Sequence, residues 1–295
     1  MINNDNKRAY KLMIITGASG FIGSHLAFAA KSSGWEVRCL GRSPKSMPEL
    51  ENYPWRLGQK IPEKIWRRPF NKECFVSVSH FAHDWSQDVF PPSQNINFHS
   101  TLELFKTTKT FGIKHFVFAS SQTSRPNALT NYGRCKYEIE QQLINDLGIV
   151  VRIGFVYGGD WRGGAGTLLD MVRSFPIVPI IAPNSTVYPV HINDVCKAIL
   201  GLFEETTNPS GTFIVAPTKG ITFREFLRKI ACVEAGKKNI FLLSIPDWLA
   251  KTFTFLPFLP KELRLRINGL LNIQPFYCKD TKPLPGNLFR DFSKS

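Results

Sequence analysis

Tyr132 and Lys136 stand four residues apart, a spacing that puts a phenol and an ammonium on one face of a helix. An isolated tyrosine, with a pKa of about 10, is a poor base near neutrality. A cation held beside it favours the phenolate and lowers that value. The phenol can then exchange a proton with an alcohol or carbonyl oxygen while a hydride moves to or from a nicotinamide. Upstream, Phe116-Val117-Phe118-Ala119-Ser120-Ser121 reads as a strand whose end presents a hydroxyl toward the same point. Ser121 is the first choice for that hydroxyl, with Ser120 and Thr123 as alternatives. The plainer readings are a solvated helix surface for Tyr-x-x-x-Lys and turn formation before Pro126 for the serines.

A second constellation lies near the start of the chain, where Leu12-Met13-Ile14-Ile15 runs into Thr16-Gly17-Ala18-Ser19-Gly20-Phe21-Ile22-Gly23. A buried strand, a glycine turn and a helix start suit a dinucleotide pyrophosphate. Gly17 allows the tight turn, Gly20 a close approach to phosphate, and Gly23 close packing of helix on strand. The candidate contacts are Gly17, Ser19, Gly20, Phe21, Ile22 and Gly23. The next strand ends in Gly41-Arg42-Ser43, where NAD-binding chains place a carboxylate on the ribose hydroxyls. A carboxylate would repel a 2′-phosphate, whereas Arg42 and Ser43 can bind one. NADP(H) is therefore expected in preference to NAD(H). The alternative is that Arg42 stacks on adenine or faces solvent.

These groups need a scaffold, and the pattern supplies one. Strands are predicted at 35–40, 74–78, 115–119 and 149–153, with helices at about 97–110 and 132–147, the latter stopped by Gly148. Residues 44–72 read as largely irregular. Strands alternating with helices predict an α/β fold with a doubly wound parallel sheet. From residue 158 the character changes: a glycine-rich loop, three prolines within 175–183, and a mixture of aromatic, proline and basic residues over 240–295.

Composition is that of a globular protein, with 43% hydrophobic and 20% charged residues in a chain of 295. The net charge of +14 raises nucleic acid or a membrane surface as partners, but the basic residues are scattered and read as a solvated surface. The six cysteines are far apart, which speaks against a metal site or disulfide framework and for a reducing, cytoplasmic setting. The polar stretch 3–8 is no signal peptide, and no apolar run is long enough to span a membrane. Over 245–256, Trp248, Leu249, Thr252, Phe253 and Leu256 share a helical face, with Lys251, Lys261, Arg264 and Arg266 nearby. The expectation is a core-facing helix, and the alternative is peripheral membrane contact.

Six ordered motifs make the chain resemble an extended short-chain dehydrogenase/reductase of the NAD-dependent epimerase/dehydratase family. They are Thr16–Leu26, Ser79-His80-Phe81-Ala82-His83, the helix start at Asn97, Ser120-Ser121 with Tyr132 and Lys136, Arg152–Gly158, and Pro189–Val195. The resemblance implies a Rossmann-type domain over 1–157, to which 186–204 returns, and a smaller substrate-binding domain over 158–185 and 205–295. It implies Tyr132 as acid/base, Lys136 on the nicotinamide ribose, Ser121 on the reacting oxygen and Ala82 among the cofactor contacts. It further implies a sugar or nucleotide-sugar substrate, oxidised, reduced or epimerised at a secondary alcohol or ketone, and a homodimer built on the helices at 97–110 and 132–147.

Departures narrow the reading. Gln122-Thr123 stands where dehydratases carry an acidic pair, which disfavours elimination of water. Phe155 and Val187 replace an Asn and an Arg that contact substrate diphosphate in the family. Arg162 and Arg173 are the residues able to compensate, and a smaller or more apolar substrate is the other solution. The rival class is a non-catalytic, basic dinucleotide-binding protein that binds RNA or a protein partner, for which the Ser121, Tyr132 and Lys136 set would serve no purpose.

Overall fold

The run Leu12 to Ile15 offers water no polar face, so its strand must be covered on both sides, as strands of parallel sheets are. In the computed structural model of the protein all four side chains are wholly buried within β1 (Tyr10–Thr16). The structure describes residues 10–42, 47–68, 74–87, 89, 91–204, 209–237, 239–254, 261–284, 288–290 and 292. Ser43, the polar stretch 3–8 and Leu256 lie outside the described residues, as do the side chains of Phe253, Lys261 and Arg266.

After β1 come α1 (Phe21–Ser32), β2 (Glu36–Gly41), β3 (Glu51–Pro54), β4 (Cys74–His80), α2 (Ile96–Thr110), β5 (His115–Ser121), α3 (Asn131–Ile144) and β6 (Ile149–Ile153). They are followed by β7 (Phe155–Tyr157), α4 (Gly163–Ser174), β8 (Ile177–Ile181), β9 (Thr186–Val187), β10 (Pro189–His191) and α5 (Ile192–Gly201). The last are β11 (Gly211–Val215), β12 (Ile221–Thr222), α6 (Phe223–Lys229), β13 (Phe241–Ile245), α7 (Asp247–Thr254), α8 (Lys261–Leu271) and β14 (Thr281–Pro283). Eight strands form one sheet in the order β3-β2-β1-β4-β5-β6-β11-β14. It is the doubly wound parallel α/β arrangement of Rossmann type. The strand order reverses between β1 and β4, the point at which such sheets bind ligands.

The chain divides into two units. The first comprises Met1–Ala119, Ile139–Val150 and Ile199–Gly211, and the second Ser120–Glu138, Val151–Ala198 and Thr212–Ser295. Ser120–Glu138 thus groups with the later segments, whereas the sequence reading placed it in the dinucleotide-binding domain.

Within the first unit, part of the stretch read as irregular is ordered by one side chain. Arg38 is buried on β2 and donates to Glu36 at 2.8 Å, to Glu51 at 3.0 Å and to the Ile65 carbonyl at 2.8 Å. It also donates to the Arg67 carbonyl. These bonds secure β3, which pairs in parallel with β2, and the short turn at Glu63–Trp66. β3 escaped the sequence reading because an edge strand has no buried alternation, and Pro54 ends it. α3 stops at Ile144, earlier than expected, because Leu147 takes the left-handed conformation (φ 63°) and the Gly148 amide bonds the Leu143 carbonyl at 2.8 Å.

In the second unit β8 pairs in parallel with β13, although Pro179 lies at its centre. A two-stranded ribbon leaves each strand an open edge, where a proline forfeits no ladder bond. The ribbon, α4 and α6 enclose a core of Leu169, Val172, Val178, Ile180, Phe223, Phe226 and Ile230. A strap at 274–277 is held by side chains acting on its carbonyls. Buried Gln122 donates to the Gln274 carbonyl at 2.6 Å and to that of Thr186 at 3.1 Å. Arg125 donates to Pro275, and buried Arg152 to Tyr277, whose ring it also faces. Replacing Gln122→Glu sets a carboxylate against two carbonyl oxygens. A loss of roughly 2 kcal/mol of stability is expected, measured as a lower midpoint in urea unfolding, and an unchanged midpoint contradicts this account of the strap.

Candidate active site

Two groups of site residues emerge, one in each unit. In the first unit, β1 delivers Gly17 at φ 67°, a left-handed conformation that favours glycine. A Cβ at Gly17 would lie 2.6 Å from the Ala82 nitrogen, and one at Gly23 would lie 2.4 Å from the Gly17 carbonyl oxygen. The loop is therefore squeezed between the turn after β4 and the first turn of α1. Its own bonds occupy several amides: Gly17 donates to the Leu40 carbonyl at 2.9 Å and Gly20 to the Gly17 carbonyl at 2.9 Å. At Gly17 the close approach of Ala82 leaves no room for a side chain. Gly20 is the exposed N-cap of α1, with no side-chain cap, and the first helical bond runs from the Ser24 amide to the Gly20 carbonyl. The amides of Phe21, Ile22 and Gly23 precede that bond and form the anion-attracting end of the helix.

Gly41 lies beside this loop, since a Cβ there would sit 3.5 Å from Ser19 Oγ. Arg42 follows as an exposed residue.

A buried chain of hydrogen bonds that the sequence reading did not identify holds the turn at Ala82. His80 Nδ1 lies 2.6 Å from Thr16 Oγ1, and His80 Nε2 lies 2.9 Å from Thr101 Oγ1. The Ala82 amide donates to Thr16 Oγ1 at 3.3 Å. Asn97 accepts from the Asp84 amide at 2.7 Å and donates to the Asp84 carbonyl at 3.0 Å, while Asn95 caps α2 through the Asn97 amide. The signal was His80 itself, an imidazole at the end of an apolar strand.

In the second unit, α3 carries the phenol and the ammonium. Lys136 is only 5% exposed, and its Nζ lies 5.7 Å from the centroid of the half-buried Tyr132 ring. A lysine on a solvated helix surface would not be sequestered in this way. Gly133, next to Tyr132, admits no side chain, because a Cβ would stand 2.5 Å from the Thr123 carbonyl oxygen. The first turn of α3 therefore abuts the loop that follows Ser121. Ser121 Oγ lies 3.2 Å from Thr123 Oγ1 and accepts from the Thr123 amide at 3.3 Å, so these two candidate hydroxyls belong to one cluster. Ser120 is buried.

Other residues singled out in the sequence have packing roles. Tyr157 is buried among Trp161, His191, Phe226 and Phe292, and burial pushes its phenol up to about 12. Asp194, buried at the start of α5, takes a two-pronged bond from Arg290, 2.9 Å on each carboxylate oxygen. Phe155 meets Phe226 edge-on at 5.1 Å, and Val187 is buried in the same apolar core. Arg162 pairs with Asp160 at 2.5 Å, and Arg173 donates to the Glu234 carbonyl at 3.2 Å. Arg162 and Arg173, the residues able to hold a diphosphate in place of Phe155 and Val187, each bond to the protein from an exposed position.

Residues 13–158 match the NAD dependent epimerase/dehydratase family. A ceramide reductase of Caulobacter vibrioides is 24% identical over 243 residues, covering 80% of this chain and 74% of that protein. The human UDP-glucose 4-epimerase is 27% identical over 168 residues, 46% of this chain and 48% of that protein. The chain thus spans about half the length of the curated epimerases it matches. Among solved structures, a Thermotoga maritima UDP-glucose 4-epimerase with UDP-glucose superposes with a TM-score of 0.64 at 22% identity, over 80% of this chain and 85% of that one. Through residues 13–158, the chain belongs to the NAD dependent epimerase/dehydratase family.

Proposed function

We propose that the protein is a nicotinamide-dinucleotide-dependent oxidoreductase acting at a secondary alcohol or ketone, with Ser121, Tyr132 and Lys136 as its reacting set. The observation that carries this reading is the buried Lys136 ammonium beside the Tyr132 ring. In the reducing direction Tyr132 gives its proton to the carbonyl oxygen, and the ammonium of Lys136 stabilises the negative charge left on the phenolic oxygen. Ser121, in its cluster with Thr123, donates a hydrogen bond to the same substrate oxygen. The dinucleotide, when bound, supplies or accepts the hydride. The exposed, uncapped N-terminus of α1 suits its pyrophosphate, through the amides of Phe21, Ile22 and Gly23. Gly17, Ser19 and Ala82 shape the loop around it.

For the cofactor we favour NADP(H), with Arg42 as the reader of the 2′-phosphate. No carboxylate follows Gly41, and Arg42 is exposed where that group would stand. NAD(H) is the second reading, supported by relatives whose structures contain NAD. The substrate we favour lacks a diphosphate anchor. Phe155 and Val187 belong to the apolar core, and the match to a ceramide reductase extends over more of that relative than the matches to the epimerases do. A nucleotide-sugar epimerase is the other reading within the family. Gln122, which holds two backbone carbonyls, is no acid for a dehydratase. The resemblance also implies a homodimer through α2 and α3, and the outward positions His99, Glu103, Lys106 and Lys109 of α2 would make that interface polar.

Titration with NADPH and NADH, followed by nicotinamide fluorescence, is expected to show tighter binding of NADPH. Arg42→Ala should weaken NADPH by about 10- to 100-fold, as expected for one hydrogen-bonded charge pair, and leave NADH nearly unchanged. A preference for NADH in the unaltered protein contradicts the phosphate reading, and binding of neither contradicts the enzyme reading.

Tyr132→Phe should lower turnover by about 100-fold or more with dinucleotide affinity retained. Retained turnover removes Tyr132 from the chemistry. Stoichiometric consumption of added NADPH identifies a reductase, and product formation without net consumption identifies an epimerase.

A further inference from the structure

We propose that the outer face of the β8–β13 ribbon docks the protein onto an anionic lipid surface. The ribbon has one core face and one outer face. Val178, Ile180 and Leu242 point into the core of the second unit. Their neighbours point the other way, and the parallel register pairs Ile177 with Phe241, Pro179 with Leu243 and Ile181 with Ile245. Partners in register share a face, so these six apolar residues form one continuous strip. Ile177 is 53% exposed, Phe241 63% and Leu243 51%. Extended Phe175 continues the strip at one end, at 55% exposure. At the other, Pro246 leads straight into α7, whose first turn carries Trp248 at 68% exposure. On α7 it is Ala250 that is buried, so the expectation of a core-facing Trp248 does not hold. The exposed apolar area of these aromatic and aliphatic groups is on the order of 500 Å², at the upper end of what monomeric proteins leave open.

Charge chooses the occupant. From residue 212 to the C-terminus the sequence holds 14 Lys and Arg against 6 Asp and Glu, more than half of the net charge of +14. A cation stands at each end of the strip, Lys237 near Phe175 and Lys251 near Trp248. Lys237 donates to the Val172, Arg173 and Phe175 carbonyls at the end of α4. Exposed Lys251 lies on α7, one turn after Trp248. The acids near these ends are Asp170 on α4, Glu234 before Lys237 and Asp247 on α7. An apolar strip with tryptophan at one end, a cation at each end and a basic excess over 212–295 matches the acyl–headgroup boundary of an anionic leaflet. A second copy fits less well, because laying one strip on another brings basic ends against basic ends. This docking is independent of the hydride-transfer reading.

The test is co-sedimentation with vesicles of phosphatidylcholine alone and of phosphatidylcholine with phosphatidylglycerol in equal parts. Binding to the mixed vesicles is expected to be about 10-fold tighter than to the neutral ones at low salt, to weaken as salt rises, and to shift tryptophan emission to the blue. The double substitution Phe241→Ser, Trp248→Ser should reduce binding about 10-fold, with the thermal unfolding transition retained because both side chains are exposed. Lys251→Glu, which leaves the apolar strip intact, should reduce the preference for anionic vesicles. No binding to either vesicle, or equal binding to both, overturns the proposal. So does a dimer in sedimentation velocity that the double substitution dissociates without any vesicle binding, since the face would then join two copies of this chain.

Discussion

The backbone at Gly17 runs so close to the turn after β4 that a Cβ there would stand 2.6 Å from the Ala82 nitrogen. That contact sets the end of β1 against the end of β4 at the point where the strand order reverses. Everything placed on the glycine loop follows from it. α1 can begin close behind because Gly23 also lacks a side chain, and the Leu40 carbonyl at the end of β2 holds the Gly17 amide. His80 then locks the arrangement from below, bridging hydroxyls on β1 and α2 through its two ring nitrogens. Buried polar groups with both partners supplied favour one geometry, because an unpaired one would be costly.

The same economy recurs where long polar side chains substitute for regular pairing. Arg38 organises β3 and the turn behind it, and Gln122, Arg125 and Arg152 hold the strap at 274–277. In each case a donor with several N–H groups satisfies carbonyls that have no strand beside them, the condition for burying irregular backbone. Gln122, just after β5, is thus a structural anchor.

Two further positions singled out in the sequence are apolar and buried in the core or packed on it. Phe155 packs on an apolar core that buries Val187, and Arg162 and Arg173, able to hold a diphosphate, each bond to a protein partner. The second unit combines this apolar interior with an apolar outer strip on the β8–β13 ribbon. Its excess of cations is therefore a feature of one region of the chain, whereas the whole-chain composition suggested a general solvated surface.

Much of the scaffold and of the candidate site was legible without coordinates. Glycines placed between an apolar strand and a helix start, strands alternating with helices, and Tyr132 four residues before Lys136 are local patterns. Local patterns survive in one dimension because strand and helix periods are properties of the backbone. Tertiary structure alone decided the rest. It made Lys136 buried, gave polar β3 its partner, let β8 run through Pro179 at an open edge, and turned Trp248 outward. Gln122 meets Gln274 across 152 residues of sequence. Burial and the choice of a hydrogen-bond partner depend on segments remote in the chain, and no local period encodes them.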